Sequence, residues 1–266
     1  NILPPLCPNQ VKKAILPGTN PMAKLFIIAT PIGNLEDMTL RAIRVLGELH
    51  VLACEDTRHT RILFEKHGIH SPETIISYRE QNEARAGARI IGFLKSGQSV
   101  GICSDAGYPG ISDAGYRVIS RALEEGYTVE VLPGAGAVEP ALLASGLPTS
   151  SFTFKGFPPR KPGVRRRYLA MEKDLPHTLV FYESPFRVQK LLEDAREVLG
   201  DRRAAVCIEL TKQFEKTHRG TLSELAVQFK DAKVRGEITV VIAGNNPKFS
   251  AAEESDGLID RAEPDA

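Results

Sequence analysis

Short apolar runs alternate with amphipathic stretches through the first half of the chain, and the alternation predicts strands joined by helices. Residues 25–30 (Leu-Phe-Ile-Ile-Ala-Thr) read as a strand that Pro31 ends. Over residues 39–49, Leu40, Ile43, Leu46 and Leu49 recur at the spacing of one helical face. Strands follow at residues 51–54, 74–78 and 99–103, with a helix near 83–95 before the last of them. A helix over 116–125, a strand over 128–132 and a helix over 138–145 continue the pattern. Such alternation implies a mostly parallel sheet with helices on both faces.

Near residue 148 the pattern changes. A strand at 152–155 leads into a loop rich in proline and arginine, and a helix near 165–173 follows. A strand at 178–182, a helix at 185–199 and strands at 204–211, 214–220 and 237–243 complete a second α/β unit. The expected organisation is a flexible segment over 1–23, domains over 24–148 and 149–245, and an acidic mobile tail over 246–266. No internal repeat is present.

Composition narrows the class. Apolar residues make up 42% and charged residues 25%, as in ordinary globular proteins. The net charge of +1 favours no partner by itself, so clustered charge has to carry any such claim. Apolar runs such as 25–29 are far too short to span a bilayer, and the proline-punctuated start lacks the apolar stretch of a secretory signal. Cys7, Cys54, Cys103 and Cys207 are scattered, with no CxxC pair, and three of them fall in strand-like runs. That predicts reduced thiols in a cytoplasmic protein.

The chemistry concentrates in the loop 104–115 (Ser-Asp-Ala-Gly-Tyr-Pro-Gly-Ile-Ser-Asp-Ala-Gly), between a strand and a helix. Ligands of open α/β sheets sit where strand carboxyl ends meet helix N-termini. Glycine allows close backbone approach there, and Asp105 and Asp113 can accept hydrogen bonds from amines or hydroxyls. A plainer reading makes the loop a long turn with Asp113 as helix N-cap. His67 and His70 lie close in sequence, but Gly68 points to a turn and no third ligand is nearby, so no metal is expected. The loop from Lys155 to Tyr168 gathers six cations (Lys155, Arg160, Lys161, Arg165, Arg166, Arg167) beside Phe157 and Tyr168. That mixture suits phosphate contacts plus base stacking, against the plainer reading of a basic solvated linker.

Six segments occur in one order: Thr30-Pro31-Ile32-Gly33-Asn34-Leu35, Glu55-Asp56-Thr57-Arg58-His59-Thr60, the Ser104-Asp105-Ala106-Gly107 loop, Leu132-Pro133-Gly134, Tyr182-Glu183-Ser184-Pro185 and Glu209-Leu210-Thr211-Lys212. Over roughly residues 24–245 the chain resembles the small-subunit ribosomal RNA methyltransferase I family, within the tetrapyrrole methylase class of S-adenosylmethionine enzymes. Tyr108, Gly110, Ala114 and Ala135 depart from the usual family residues. The resemblance implies two α/β domains, the first with a mostly parallel sheet and the second with a mixed one, and a cofactor cleft between them. It implies a homodimer that methylates a cytidine ribose 2′ oxygen in 16S ribosomal RNA.

On that reading Pro31, Gly33, Asn34, Asp105, Ala106, Gly107, Ser112, Leu132, Pro133, Gly134 and Ala135 hold S-adenosylmethionine. Asp105 takes its ribose or amine, and Leu132 and Ile111 act as apolar walls. Glu55, Asp56 and Glu183 are the candidate bases; Glu55, Asp56 and Arg58 could equally form a structural ion pair. His59 reads as a surface residue. Three other classes stand beside this one. A methylase of a tetrapyrrole or other small molecule would not need the clustered cations, and a non-catalytic RNA-binding assembly factor could keep the fold. A dinucleotide-dependent oxidoreductase is disfavoured, since no GxGxxG follows the first strand.

Overall fold

The computed structural model describes residues 23–232 and 234–246. The segment through residue 22, Cys7 with it, and the acidic stretch from residue 247 lie outside the described residues. The described residues divide into two compact units: one holds those up to Ala29 together with Thr39–Pro133, the other Thr30–Met38 and those from Gly134 on.

The first unit runs β1 (Lys24–Ile28), α1 (Leu40–Glu48), β2 (Val51–Cys54), α2 (Thr57–His67), β3 (Thr74–Ser77), α3 (Glu83–Lys95), β4 (Val100–Cys103), α4 (Tyr116–Glu124) and β5 (Thr128–Leu132). Its sheet has the order β3-β2-β4-β1-β5, and every pairing is parallel. Every residue of β2 and β4 is buried, which explains why these strands read as unbroken apolar runs. Gly101 in β4 leaves room for its neighbours: a Cβ there would lie 2.5 Å from Leu49 Cδ1, so the Leu49 side chain would have to shift. Ile28 is in register with both Cys103 and Leu132, so the ends of three neighbouring strands lie side by side. Cys54 and Cys103 are directly opposed and buried, as free thiols.

The second unit contains α5 (Val138–Ser145), β6 (Phe152–Phe154), α6 (Pro162–Ala170), β7 (Thr178–Glu183), α7 (Val188–Leu199), β8 (Arg203–Ile208), β9 (Lys216–Thr221), α8 (Leu222–Gln228) and β10 (Ile238–Ile242). Its sheet is mixed, in the order β6-β7-β10-β8-β9; β6 and β7 are parallel and the other pairs antiparallel. Phe181, Leu191, Leu192, Val206 and Val240 lie in its core. The division falls at Pro133–Gly134, ahead of the expected cut near residue 148, because α5 is tied to this sheet. Cys207 Sγ donates to the Ala141 carbonyl at 3.8 Å, and Arg219 Nε to that of Ala144 at 2.8 Å.

Four local features differ from the sequence reading. α8 was not expected, although Thr221 and Glu224 form a reciprocal capping box ahead of buried Leu222 and Leu225. α6 starts three residues earlier than 165, with Pro162 in the first turn, where its missing N–H costs no helical bond. α7 begins at Val188, because residues 184–187 form a turn whose Arg187 N–H donates to the Ser184 carbonyl at 3.0 Å. β8 stops at Ile208, because Glu209 and Thr211 take positive φ values of 51° and 66° that no ladder can continue.

Arg165 and Asp194 join α6 to α7 inside this unit. Their side chains are 3% and 6% exposed, and Arg165 Nη2 lies 2.5 Å from Asp194 Oδ2. Removing one partner of such a pair strands the other charge. Asp194→Ala is therefore expected to destabilise the protein by about 3–5 kcal/mol in urea denaturation. A Leu substituted at both positions should recover part of that loss.

Candidate active site and nucleic-acid surface

The carboxyl edge of the parallel sheet carries a charged network that joins the ends of β2 and β4. The Asp56 N–H donates to Asp105 Oδ1 at 2.9 Å, and His59 Nδ1 lies 3.1 Å from Asp105 Oδ2. Asp56 caps α2 by accepting from the Arg58 N–H at 2.9 Å, and its other oxygen meets Arg58 Nη2 at 2.5 Å. The Arg58 guanidinium holds the Asp56 carboxyl well below the usual carboxylate range. Arg79, just past β3, donates from Nε to the Glu55 carbonyl at 2.7 Å. The Glu55 side chain is half-buried and has no ion-pair or hydrogen-bond partner among the described residues.

Both Asp105 oxygens thus serve the fold, though each carboxylate oxygen keeps a second lone pair. The loop behind Asp105 is shaped by left-handed backbone at Gly107, Gly110 and Ser112, with φ of 76°, 85° and 63°. The Ser104 hydroxyl donates to the Gly107 carbonyl at 3.1 Å, which closes the first bend. The Gly110 N–H donates to the Ala114 carbonyl at 3.1 Å, and a Cβ at Gly115 would sit 2.6 Å from Gly110 N. Gly115, not Asp113, is the N-cap of α4, and its N–H donates to Glu83 Oε1 at 3.2 Å. Asp113 is exposed and lies two residues ahead of that cap, so it does not cap α4 as the plainer sequence reading expects. Tyr108 is half-buried, Ser112 and Ile111 are exposed, and Leu132 is fully buried.

In the second unit, Pro31 is buried while Gly33 and Asn34 are exposed, and Asn34 Oδ1 accepts from the Glu36 N–H at 3.1 Å. Gly33 backs onto the turn 209–212, where a Cβ would lie 2.3 Å from Lys212 Cγ and 2.8 Å from Thr211 Oγ1. A positive φ at a β-branched residue such as Thr211 is strained. The turn is held by Lys212 Nζ, 2.8 Å from Glu209 Oε1, and by the Glu237 N–H donating to the same oxygen at 2.8 Å. Thr211 Oγ1 is buried without a hydrogen-bond partner among the described residues. In the sequence this segment stands out only by its resemblance to the family; neither its strain nor its dependence on Gly33 has a local sequence signal. After Leu132, the stretch Gly134-Ala135-Gly136-Ala137 carries nothing larger than a methyl group, so the main chain is open to close approach.

Glu183 is buried at 3% exposure. Its Oε1 accepts from the Ser184 N–H at 2.7 Å and from Arg187 Nη2 at 2.6 Å, while Oε2 is enclosed and unpartnered. Burial raises its proton affinity.

The six cations split into two sets. Lys155 pairs with Glu172 at 2.6 Å and lies over the Tyr168 ring; Arg166 pairs with Asp194 and Glu197 at 2.8 and 3.0 Å. Arg165 is inside the protein, so the expectation that it contacts RNA is corrected: the helical period places it on the face of buried Leu169. Arg160, Lys161 and Arg167 are exposed, with no carboxylate partner among the described residues. Among the described residues, no group of His, Cys, Asp and Glu is placed to hold a metal, and no helix is long and apolar enough to cross a membrane.

The donor set fits a cationic nucleoside. Asp105 offers carboxylate acceptors on a side chain that is 27% exposed, on a loop after β4 that Gly107 and Gly110 bend. Residues 24–226 match the family model of tetrapyrrole (corrin/porphyrin) methylases. The chain is 44% identical over 229 residues to the ribosomal RNA small subunit methyltransferase I of Halalkalibacterium halodurans, covering 86% of this chain and 78% of that protein. It is 43% identical over 223 residues to that of Thermotoga maritima, covering 84% and 99%. Among solved structures, cobalt precorrin-4 methyltransferase superposes with a TM-score of 0.63 at 17% identity, covering 83% of this chain and 94% of that one. The uroporphyrin-III C-methyltransferase of Thermus thermophilus, complexed with S-adenyl homocysteine, gives 0.55 at 20% identity, covering 83% and 97%. These last two likenesses establish the fold, and the closer relatives establish the branch. The chain belongs to the tetrapyrrole methylase family, on the branch of the small-subunit ribosomal RNA methyltransferases I.

Proposed function

We propose that this protein methylates 16S ribosomal RNA of the small ribosomal subunit, using S-adenosylmethionine, at the 2′ oxygen of a cytidine ribose. The observation that carries the reading is identity of 43–44% to small-subunit ribosomal RNA methyltransferases over more than four-fifths of the chain. The exposed cations Arg160, Lys161 and Arg167 favour it over a small-molecule methylase, which would have no use for them. In this reading the enzyme works in the cytoplasm as a homodimer.

S-adenosylmethionine, when bound, supplies an electrophilic methyl group on a positively charged sulfur. Pro31, Gly33, Asn34, Asp105, Ala106, Gly107, Ser112, Pro133, Gly134 and Ala135 are the residues assigned to hold it; Leu132 supports the loop from within the core. Their main task is alignment, and orientation of this kind contributes on the order of 7–11 kcal/mol to such displacements. The ribose hydroxyl proton needs an acceptor as the oxygen–carbon bond forms. Asp56 is a weak base because Arg58 stabilises its charge, and the unpartnered oxygen of Glu183 is enclosed. Glu55, with its carboxylate uncommitted, takes the role by elimination.

Ribose-methylation mapping of 16S ribosomal RNA, from cells with and without the gene, tests the function. One cytidine should lose its 2′-O-methyl group in the deletion strain, and an unchanged map refutes the reading. In purified enzyme, Glu55→Gln should lower kcat by about 10²–10⁴-fold, with S-adenosylmethionine affinity unchanged in calorimetry. A kcat within twofold of the parent would remove Glu55 from the chemistry. Asp56 makes a different prediction. Its folded pKa lies below the unfolded value of about 3.9, so its stabilisation is present above that pH and fades as pH falls further. Asp56→Asn should therefore be less stable at neutral pH and lose less stability on acidification, read from thermal melts across pH.

A further inference from the structure

The carboxyl ends of β6, β7 and β8 share one edge of the second unit's sheet. β6 and β7 are parallel, and their ladder continues past Phe154: the Lys155 N–H donates to the Val180 carbonyl at 2.8 Å and the Tyr182 N–H to that of Gly156 at 3.0 Å. Ile238 of β10 is in register with Glu183 on one side and Ile208 on the other. Each loop leaving this edge presents a phenylalanine: Phe157 at 54%, Phe186 at 90% and Phe214 at 71% exposure. Single exposed apolar residues are ordinary, but three from successive loops of one edge are not scattered.

Their exposure is built in. Phe157 meets the Tyr182 ring edge-on at 5.7 Å, and Tyr182 meets Phe154 at 4.7 Å, which backs the first ring with an aromatic stack. Phe186 sits in the turn pinned by Glu183, which holds both the Ser184 N–H and the Arg187 guanidinium. Phe214 lies in a turn closed by the Thr211 N–H donating to Glu215 Oε2 at 2.6 Å and the Glu215 N–H to the Lys212 carbonyl at 3.0 Å. Charge-assisted bonds therefore hold the chain on either side of two rings that face water. From β6 to β8 the edge spans three strand spacings, about 14 Å. The segment that carries Phe157 also carries the unpaired cations Arg160 and Lys161.

We propose that Phe157, Phe186 and Phe214 form a stacking platform for unpaired bases of single-stranded RNA, with Arg160, Lys161 and Arg167 on its phosphates. Aromatic faces with flanking cations are how proteins hold single strands without reading every base. The platform deepens the ribosomal RNA reading and rests on it for the identity of the strand, but its chemistry requires only unpaired nucleotides.

Fluorescence anisotropy of the full chain with a labelled pyrimidine oligonucleotide, and with the same strand in a duplex, tests the platform. The single strand should bind more tightly than the duplex. Phe186→Ala and Phe214→Ala should each weaken it by about tenfold, while Phe186→Trp retains parental affinity. Replacing Arg160, Lys161 and Arg167 together with Ala should flatten the salt dependence. S-adenosylmethionine affinity and sedimentation velocity should match the parent in every variant. No single-strand binding by the parent, or parental affinity in both alanine variants, overturns the proposal. Lost RNA affinity accompanied by a changed oligomeric state would also overturn it, by making the rings a subunit contact. Ring-dependent binding alongside an unchanged methylation map would sink the ribosomal RNA reading and leave the platform standing.

Discussion

In a parallel sheet each strand must return through a crossover, so every strand delivers its following loop to the same edge. The first unit rests on that constraint. With Ile28, Cys103 and Leu132 in register, the loops after β1, β4 and β5 start from adjacent points. Asp105 then binds the ends of β4 and β2 through the Asp56 amide, so the edge is tied across strands far apart in sequence. The chemistry expected of this family needs a backbone that can be approached closely and still hold its shape. Left-handed glycines and a cross-strand carboxylate supply those two properties together.

The strands were legible because burial on both faces leaves continuous apolar runs, as in β2 and β4. Helix α8 escaped because it follows β9 with no loop between them, though its capping box was written in Thr221 and Glu224. The ends of α6, α7 and β8 were displaced by a proline, a turn and a pair of positive φ angles, and only the proline is visible locally. For the cations, the sequence places Arg165, Arg166 and Arg167 in a helix near 165–173, but a count of charges does not say which face of it turns inward. In α6, Arg165 and Leu169 share the inward face and Arg167 is exposed.

Among the candidate carboxylates, the sequence offered three with nothing to rank them. Partners separate them. Arg58 is two residues from Asp56, so the ion pair kept open as a plain reading is the one that forms. Glu183 is committed on one oxygen by Arg187, four residues on. What no local pattern could show is the tie between Gly33 and the strained turn at 209–212, about two-thirds of the chain length away.

That tie bears on how the protein can be taken apart. Thr30–Met38 groups with the chain beyond Gly134, although the residues flanking it belong to the first unit. A fragment starting at Gly134 would therefore lack the stretch that packs on Thr211 and Lys212. The second unit is discontinuous in the gene, and neither truncation nor exon-like shuffling at Pro133 yields it whole; only a fusion that grafts Thr30–Met38 back would.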